Sequence, residues 1–211
     1  MLDKQLWDDI QKMFEESEAS IECIPGNQTV GTNQVNELMV NYNSVLATIV
    51  YTTAGITVNK CIRILGQGND EIPSICEINE IRDGYPERIK GFLIVATDIF
   101  GGMYAMNVTE LNGKMGMMHY FAPDTLEWEP LDMKYAQFLS WAVDGNTEEF
   151  YESMKWSDWE KYADETRFDQ GILIYPFLWS KEIKIESATK KIVPFQELIN
   201  VNMDYRKKFF D

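Results

Sequence analysis

At 211 residues, with 45% hydrophobic and 13% aromatic content, the chain carries ample material for a packed core. Its 34 acidic side chains against 19 basic ones leave a formal charge of −15, which repels nucleic-acid phosphates and anionic membrane surfaces and removes both as expected partners. A single histidine and three cysteines without CxxC spacing exclude multi-histidine metal sites and a cysteine-rich zinc site, and they argue against a disulfide framework.

The N-terminal stretch MLDKQLWDDIQKMFEE lacks the basic start and apolar centre of a secretion signal, so a cytoplasmic protein is expected. Asp3 is positioned to cap a first helix whose apolar residues Leu6, Trp7, Ile10, Met13 and Phe14 recur on one face. Pro25 and Gly26 end the extended piece that follows, and Val35 to Val40 is read as a second short helix. From Val45 to Leu65 the β-branched and aromatic composition, broken by Ala54-Gly55 and Asn59-Lys60 turns, predicts consecutive antiparallel strands. After a polar connection over 66–90 come FLIVATDI, MYAMNV, KMGMMHYFA and LEWEPL. Turns at Phe100-Gly101-Gly102, Asn112-Gly113 and Pro123-Asp124 separate them, and strands this close in sequence pair as a meander.

Helical signals resume at Asp132, with Tyr135, Phe138, Leu139 and Ala142 on one face and Gly145 as a stop. Asn146 with Glu149, and Ser157 with Glu160, make capping-box patterns that imply two short acidic helices. GILIYPFLW reads as a last strand. A basic linker then leads to a terminal helix from near Pro194, with Phe195, Leu198, Ile199 and Met203 inward and Arg206, Lys207 and Lys208 suiting the C-terminal end of its dipole. No internal repeat divides the chain, and one α+β domain over 1–211, a mostly antiparallel meander sheet flanked by helices, is the simplest account.

The chemistry-bearing residues point away from catalysis. His119 lies in the strand pattern MMHYF, where a hydrogen-bonded structural role outweighs that of a base. Asp98 follows apolar strand positions and precedes Gly101 and Gly102; capping of turn amides explains it better than acid–base work. Gly66-Gln67-Gly68 fails as a dinucleotide fingerprint because Glu71 stands where the third glycine belongs, and no P-loop or nucleophile-elbow motif occurs. Trp7, Trp141, Trp156 and Trp159 fall in helical patterns as core material, whereas Trp128 and Trp179 lie beside turns as candidates for exposed contact. Asn27-Gln28-Thr29 and Asn107-Val108-Thr109 are read as chance glycosylation patterns, and the cysteines as reduced and structural. No cofactor and no metal is expected.

The segments GFLIVATDIFGGMYAMN, HYFAPDTLEWEPLDMKYAQFLSWAVDG, FYESMKWSDWE and YPFLWSKE closely resemble the bacterial domain of unknown function 2625, from about Ala47 to the C-terminus. That resemblance brings no activity and no catalytic residues with it. The central block is more weakly similar to the SUKH superfamily, whose members often neutralise toxins. That similarity implies a SUKH-like sheet with helices around it and a binding surface in place of a catalytic pocket.

Seven acids against two bases in residues 1–22 and nine against three in residues 144–169 give these segments charges of −5 and −6. The expectation is therefore a non-catalytic, immunity-protein-like binding module whose acidic surface meets a basic protein, such as a toxin. Asp98, Gly101, Gly102, Trp128, Glu148, Glu149 and Glu152 are its candidate contact residues, and the oligomeric state is left open. The competing expectation is a small-molecule sensor or enzyme with a pocket near Asp98, His119 and Trp128.

Overall fold

The computed structural model describes residues 4–81 and 91–210. Its centre is a seven-stranded antiparallel sheet in strict sequence order: β1 (Ile21–Pro25), β2 (Thr53–Val58), β3 (Ile62–Leu65), β4 (Phe92–Asp98), β5 (Met103–Asn107), β6 (Met117–Ala122) and β7 (Glu127–Lys134). A second, two-stranded antiparallel sheet pairs β8 (Gln170–Tyr175) with β9 (Thr189–Pro194). Eight helices complete the described residues: α1 (Lys4–Glu16), α2 (Gln28–Leu38), α3 (Val45–Thr52), α4 (Ile75–Ile78), α5 (Tyr135–Asp144), α6 (Thr147–Phe150), α7 (Trp159–Glu165) and α8 (Phe195–Phe210). The fold is α+β. No helix among the described residues is long and apolar enough to cross a membrane.

The meander follows from its turns. Asn59 and Lys60 both take positive φ, 49° and 57°, which suits the tight reversal between β2 and β3. Gly101, at φ +95°, turns β4 into β5, and Asp98 pairs directly with Ile62 across to β3. Ala54-Gly55, expected as a turn, instead lies inside β2, and Asp132 lies in β7 with Lys134 preceding α5.

Three other expectations are corrected. The run LATIVYT is helix α3, not strand, because Ser44 caps it by accepting the Ala47 N–H at 3.2 Å and because residues 46–50 are buried on every side. Its threonines satisfy their hydroxyls locally, Thr48 donating to Ser44 O at 3.0 Å and Thr52 to Thr48 O at 2.6 Å, so burial leaves them paired. The second helix starts at Gln28, not Val35, because Asn27 Oδ1 accepts the N–H groups of Thr29 and Val30. Part of the stretch read as a basic linker is β9. Asp3, the expected cap of α1, lies outside the described residues.

Alternation along the strands gives the sheet two faces. Ile56, Ile62, Ile64, Ala96, Asp98, Tyr104 and Tyr120 face the main core, with α3 and α5 packed above. On the other face Met103 and Phe121 are covered by α8 through Phe195, Ile199 and Met203.

Asp98 is fully buried in the main core. Its Oδ1 accepts the N–H groups of Phe100 at 2.8 Å and Gly102 at 2.9 Å; Oδ2 accepts the hydroxyls of Tyr120 at 2.7 Å and Tyr151 at 3.2 Å. Tyr104 joins by hydrogen-bonding Tyr151. A Cβ on Gly102 would overlap both the Asp98 carboxylate and the Tyr120 hydroxyl, so the corner admits only glycine there.

Removing the carboxylate orphans two backbone donors and two hydroxyls, and Asp98→Ala is expected to destabilise the fold by about 3 kcal/mol in denaturant unfolding. Burial raises the Asp98 pKa above its ordinary 3.8, against the pull of the four hydrogen bonds. The folded chain therefore holds this proton more tightly than the unfolded one, and the Asp98 contribution to stability declines as pH rises from about 3.8 through the raised value. Asp98→Asn, which keeps the acceptor for Phe100 and Gly102, is expected to lose that component of the pH profile while staying closer to wild type than the alanine variant.

Candidate functional site

The part of the second sheet face that α8 leaves open, over β1 to β3, floors a groove of about 730 Å³. Glu22 and Ile24 of β1, Thr57 of β2 and Arg63 of β3 form its floor, as the pairing Glu22 with Thr57 and Thr57 with Arg63 requires. One wall is the 70–72 turn, built by Asn69 Oδ1 accepting the N–H groups of Glu71 at 2.8 Å and Ile72 at 2.9 Å. The opposite wall is the end of α7 and the loop into β8, residues 163–169. Phe168 closes down on Gly55, where a Cβ would come within 2.7 Å of the ring. Past Asp70, Glu71 and Phe168 the groove opens into a neighbouring hollow of about 470 Å³.

Arg63 holds this wall to the sheet. Its guanidinium is buried, and it donates to Thr166 O at 2.9 Å, Arg167 O at 3.3 Å, Cys61 O at 3.1 Å and Lys60 O at 3.4 Å. Desolvation lowers its pKa to about 10, so it remains charged at neutral pH.

The rim is acidic. Glu22, Asp70, Glu71, Asp164 and Asp169 line the groove against three cations, each already engaged: Arg63 by carbonyls, Lys60 by Asp164, and Arg167 by Asp169 at 3.1 Å. Glu22, Asp70 and Glu71 have no cation within 4.0 Å among the described residues. No group of three or more metal-ligating side chains is placed to hold an ion among the described residues. The two acidic segments of the sequence both line the groove, through Ser20 and Glu22 and through residues 163–169, and Asn59 bridges them: its Oδ1 accepts the Ser20 N–H at 3.0 Å and its Nδ2 donates to Thr147 Oγ1 at 3.4 Å.

The residues singled out from sequence fall elsewhere. Asp98, Gly101 and Gly102 are buried and shape the hairpin corner, so they present no side chain to a partner. Glu148, Glu149 and Glu152 are exposed on α6 and the 3-10 turn after it, with Glu148 paired to Lys155. Trp128 packs against Phe92 at 4.9 Å and Phe121 at 5.4 Å between ring centroids. His119, buried in β6, bonds Asn112 O through Nε2 at 2.6 Å, which ties the 107–116 loop to the sheet.

Asp98 faces the main core while His119, one position from Tyr120, points to the opposite face, so Asp98, His119 and Trp128 do not converge on a pocket. Asn27 caps α2, and Asn107 holds its own loop by bonding Leu111 N–H and O. All three cysteines are free thiols, Cys61 and Cys76 buried and Cys23 exposed. None of the groove acids was singled out individually; the one signal was a lone arginine in the apolar run CIRIL.

The family described as "Protein of unknown function DUF2625" matches residues 2–198, and the chain belongs to it. The match begins well before Ala47, where the sequence resemblance was placed. Relatives include the uncharacterised protein YbfG of Escherichia coli K12, 29% identical over 96% of this chain and 93% of the relative. An uncharacterised protein of Haemophilus influenzae is 25% identical over 96% and 91%. No solved structure matches the chain.

If Arg63 is what fixes the groove wall, Arg63→Met leaves the Thr166 and Arg167 carbonyls without their donor. It is expected to lower stability by about 2 kcal/mol and to speed amide exchange selectively over residues 163–169. Uniform exchange with unchanged stability would contradict that role.

Proposed function

We propose that this DUF2625 protein is a non-catalytic binding module of the bacterial cytoplasm that receives a basic segment of another protein in its acid-rimmed groove. The observation that carries this reading is the imbalance on the rim, five carboxylates against three cations that are all engaged inside the protein. An open trench with uncompensated carboxylates lowers the free energy of an incoming lysine or arginine side chain and steers its approach. Its floor of sheet and its continuation past Phe168 suit an extended polypeptide.

Glu148, Glu149 and Glu152 extend the same negative field, because the segments that carry −5 and −6 are bridged by Asn59, which accepts from Ser20 and donates to Thr147. A toxin-like basic protein is the partner class that fits this chemistry. The SUKH-like, immunity-type reading of the fold belongs to the same proposal. A small-molecule enzyme is less well supported, since Asp98, His119 and Trp128 lie apart.

A lysine- and arginine-rich peptide titrated calorimetrically into the whole chain is expected to bind, and to weaken several-fold as ionic strength rises from about 0.05 to about 0.5 M. Combining Glu22→Gln, Asp70→Asn and Glu71→Gln, all exposed positions, is expected to weaken it about tenfold, a change of about 1.4 kcal/mol. Absent or salt-independent binding would remove the electrostatic reading. Loss on neutralising Glu148, Glu149 and Glu152 alone would move the contact to α6.

A further inference from the structure

The hollow that opens past Phe168 differs in chemistry from the groove it continues. Leu65 and Phe195, 1% and 8% exposed, lie at its base, and Ile72, Pro73, Ile78 and Pro194 stand around it. The two prolines have no amide hydrogen to offer, so this lining favours carbon over a polar group. Among the described residues no lysine, arginine or histidine lines the hollow. Asp70, Glu71 and Asp169 line both compartments and so mark where they join, and Glu77 adds a fourth carboxylate to the hollow.

Both walls are set by their own hydrogen bonds. On one side Asn69 N–H donates to Ile72 O at 2.9 Å. Ser74 and Glu77 then cap α4 reciprocally, Ser74 N–H donating to Glu77 Oε2 at 2.7 Å and Glu77 N–H to Ser74 Oγ at 3.1 Å. On the other side Phe195 N–H donates to Asp169 O at 2.9 Å, which ties the Phe168 loop to the first turn of α8. A frame fixed in advance loses little entropy when a side chain enters it.

The strand register sets the distance between the compartments. Thr57 lies in the floor of the groove and Thr97 in that of the hollow, and Arg63 stands between them, paired with both. Two strand spacings are about 10 Å, which an extended chain covers in about three residues.

We propose that groove and hollow together read a two-part signal in the partner segment: a lysine or arginine held at Glu22, Asp70 and Glu71, and a bulky apolar side chain three residues away, seated past Phe168. This rests on the acidic groove receiving a basic segment, and it adds what that segment carries besides charge. An anionic metabolite meets four carboxylates in the hollow and no cation among the described residues, and a run of lysines alone leaves the apolar lining uncovered. A segment that joins one cation to one apolar side chain satisfies both compartments.

The test uses short serine- and glycine-based peptides that carry two lysines. One has alanine three residues from the nearer lysine, a second has phenylalanine at that place, and a third has phenylalanine directly beside the lysine; each is made in both chain directions. Titrated calorimetrically into the whole chain, the spaced phenylalanine peptide is expected to bind about tenfold more tightly than the alanine peptide in one direction, and the adjacent one less than about threefold. The ratio is expected to persist at about 0.5 M salt, where both affinities fall, because apolar burial is not screened. Ile78→Ala and Phe168→Ala, both at half-buried positions, are expected to erase most of the ratio while binding the alanine peptide as wild type does, which also shows that they fold. The triple variant at Glu22, Asp70 and Glu71 is expected to weaken both peptides equally and keep the ratio.

If neither peptide binds, the acidic groove is not a docking site and this inference falls with it. If the alanine peptide binds and phenylalanine adds nothing, or adds as much when adjacent, the groove reads charge alone; the inference is then overturned while the acidic reading stands. Survival of the ratio in both Ile78→Ala and Phe168→Ala also overturns it. So does phenylalaninamide binding as tightly as the peptide, which would assign the hollow to a small amine. Dimers of the wild type that Phe210→Ser and the triple variant each dissolve would give both compartments to the exposed Lys207, Lys208 and Phe210 of a second copy, and would likewise overturn the inference.

Discussion

A carboxylate in the middle of the core organises the chain around it. Asp98 gathers two amides from the hairpin corner that follows it, the Tyr120 hydroxyl from the next hairpin and the Tyr151 hydroxyl from the end of α6. With the Tyr151 hydrogen given to Asp98, the Tyr104 hydroxyl donates to Tyr151 in turn, so one side chain links β5, β6 and the segment after α6. A buried charge costs several kcal/mol unless such donors surround it. The surrounding phenols are themselves buried and depend on Asp98 as their acceptor, which makes the arrangement all or nothing. It also fixes the corner beneath α8, since Gly101 O accepts from Asn202 and Ile99 O from the Ile172 N–H at 2.6 Å. Helix α8 and the two-stranded sheet are thus referred to one interior anchor.

The division of the second sheet face follows from this placement. The two-stranded sheet and α8 are moored at the β4–β5 corner and cover the half of the sheet beyond it, leaving the strands from β1 to β3 with only the α7–β8 loop across them. Arg63 does for that loop what Asp98 does for the corner, with the polarity reversed: a buried cation surrounded by backbone carbonyls. Because carbonyls take its hydrogen bonds, Glu22, Asp70 and Glu71 above form no ion pair with it.

The meander was legible because its reversals are written locally, in Asn59-Lys60, Gly101-Gly102, Asn112-Gly113 and Pro123-Asp124. Helix α5 was legible for the same reason, its inward face repeating at helical spacing up to Gly145. Helix α3 was not, since a helix buried all round shows no periodicity and its β-branched residues favour a strand reading; only Ser44 hinted otherwise. Strand β9 was hidden because TKKIVP offers two apolar residues before proline and gains its identity only from the partner strand. The acidic groove could not be read at all. Its walls come from residues 20–24, 57–63, 70–72 and 163–169, and nothing local declares that these meet. The asymmetry of charge between segments was visible, but not that Asn59 would bridge Ser20 of one to Thr147 of the other.

A sheet whose strands follow one another in order has two ends that never close. At one end β1 is five residues long and stops at Pro25; at the other, β7 carries Pro130 together with exposed Glu127, Glu129 and Asp132, and Asp132 takes a φ of 50° that twists the strand away from a flat line. Proline withholds an amide, and like charges set side by side repel, so another chain cannot simply add itself as an eighth or ninth strand. The protein is thereby guarded against runaway stacking into fibres, and whatever it meets must approach through side chains and not through its exposed ladder.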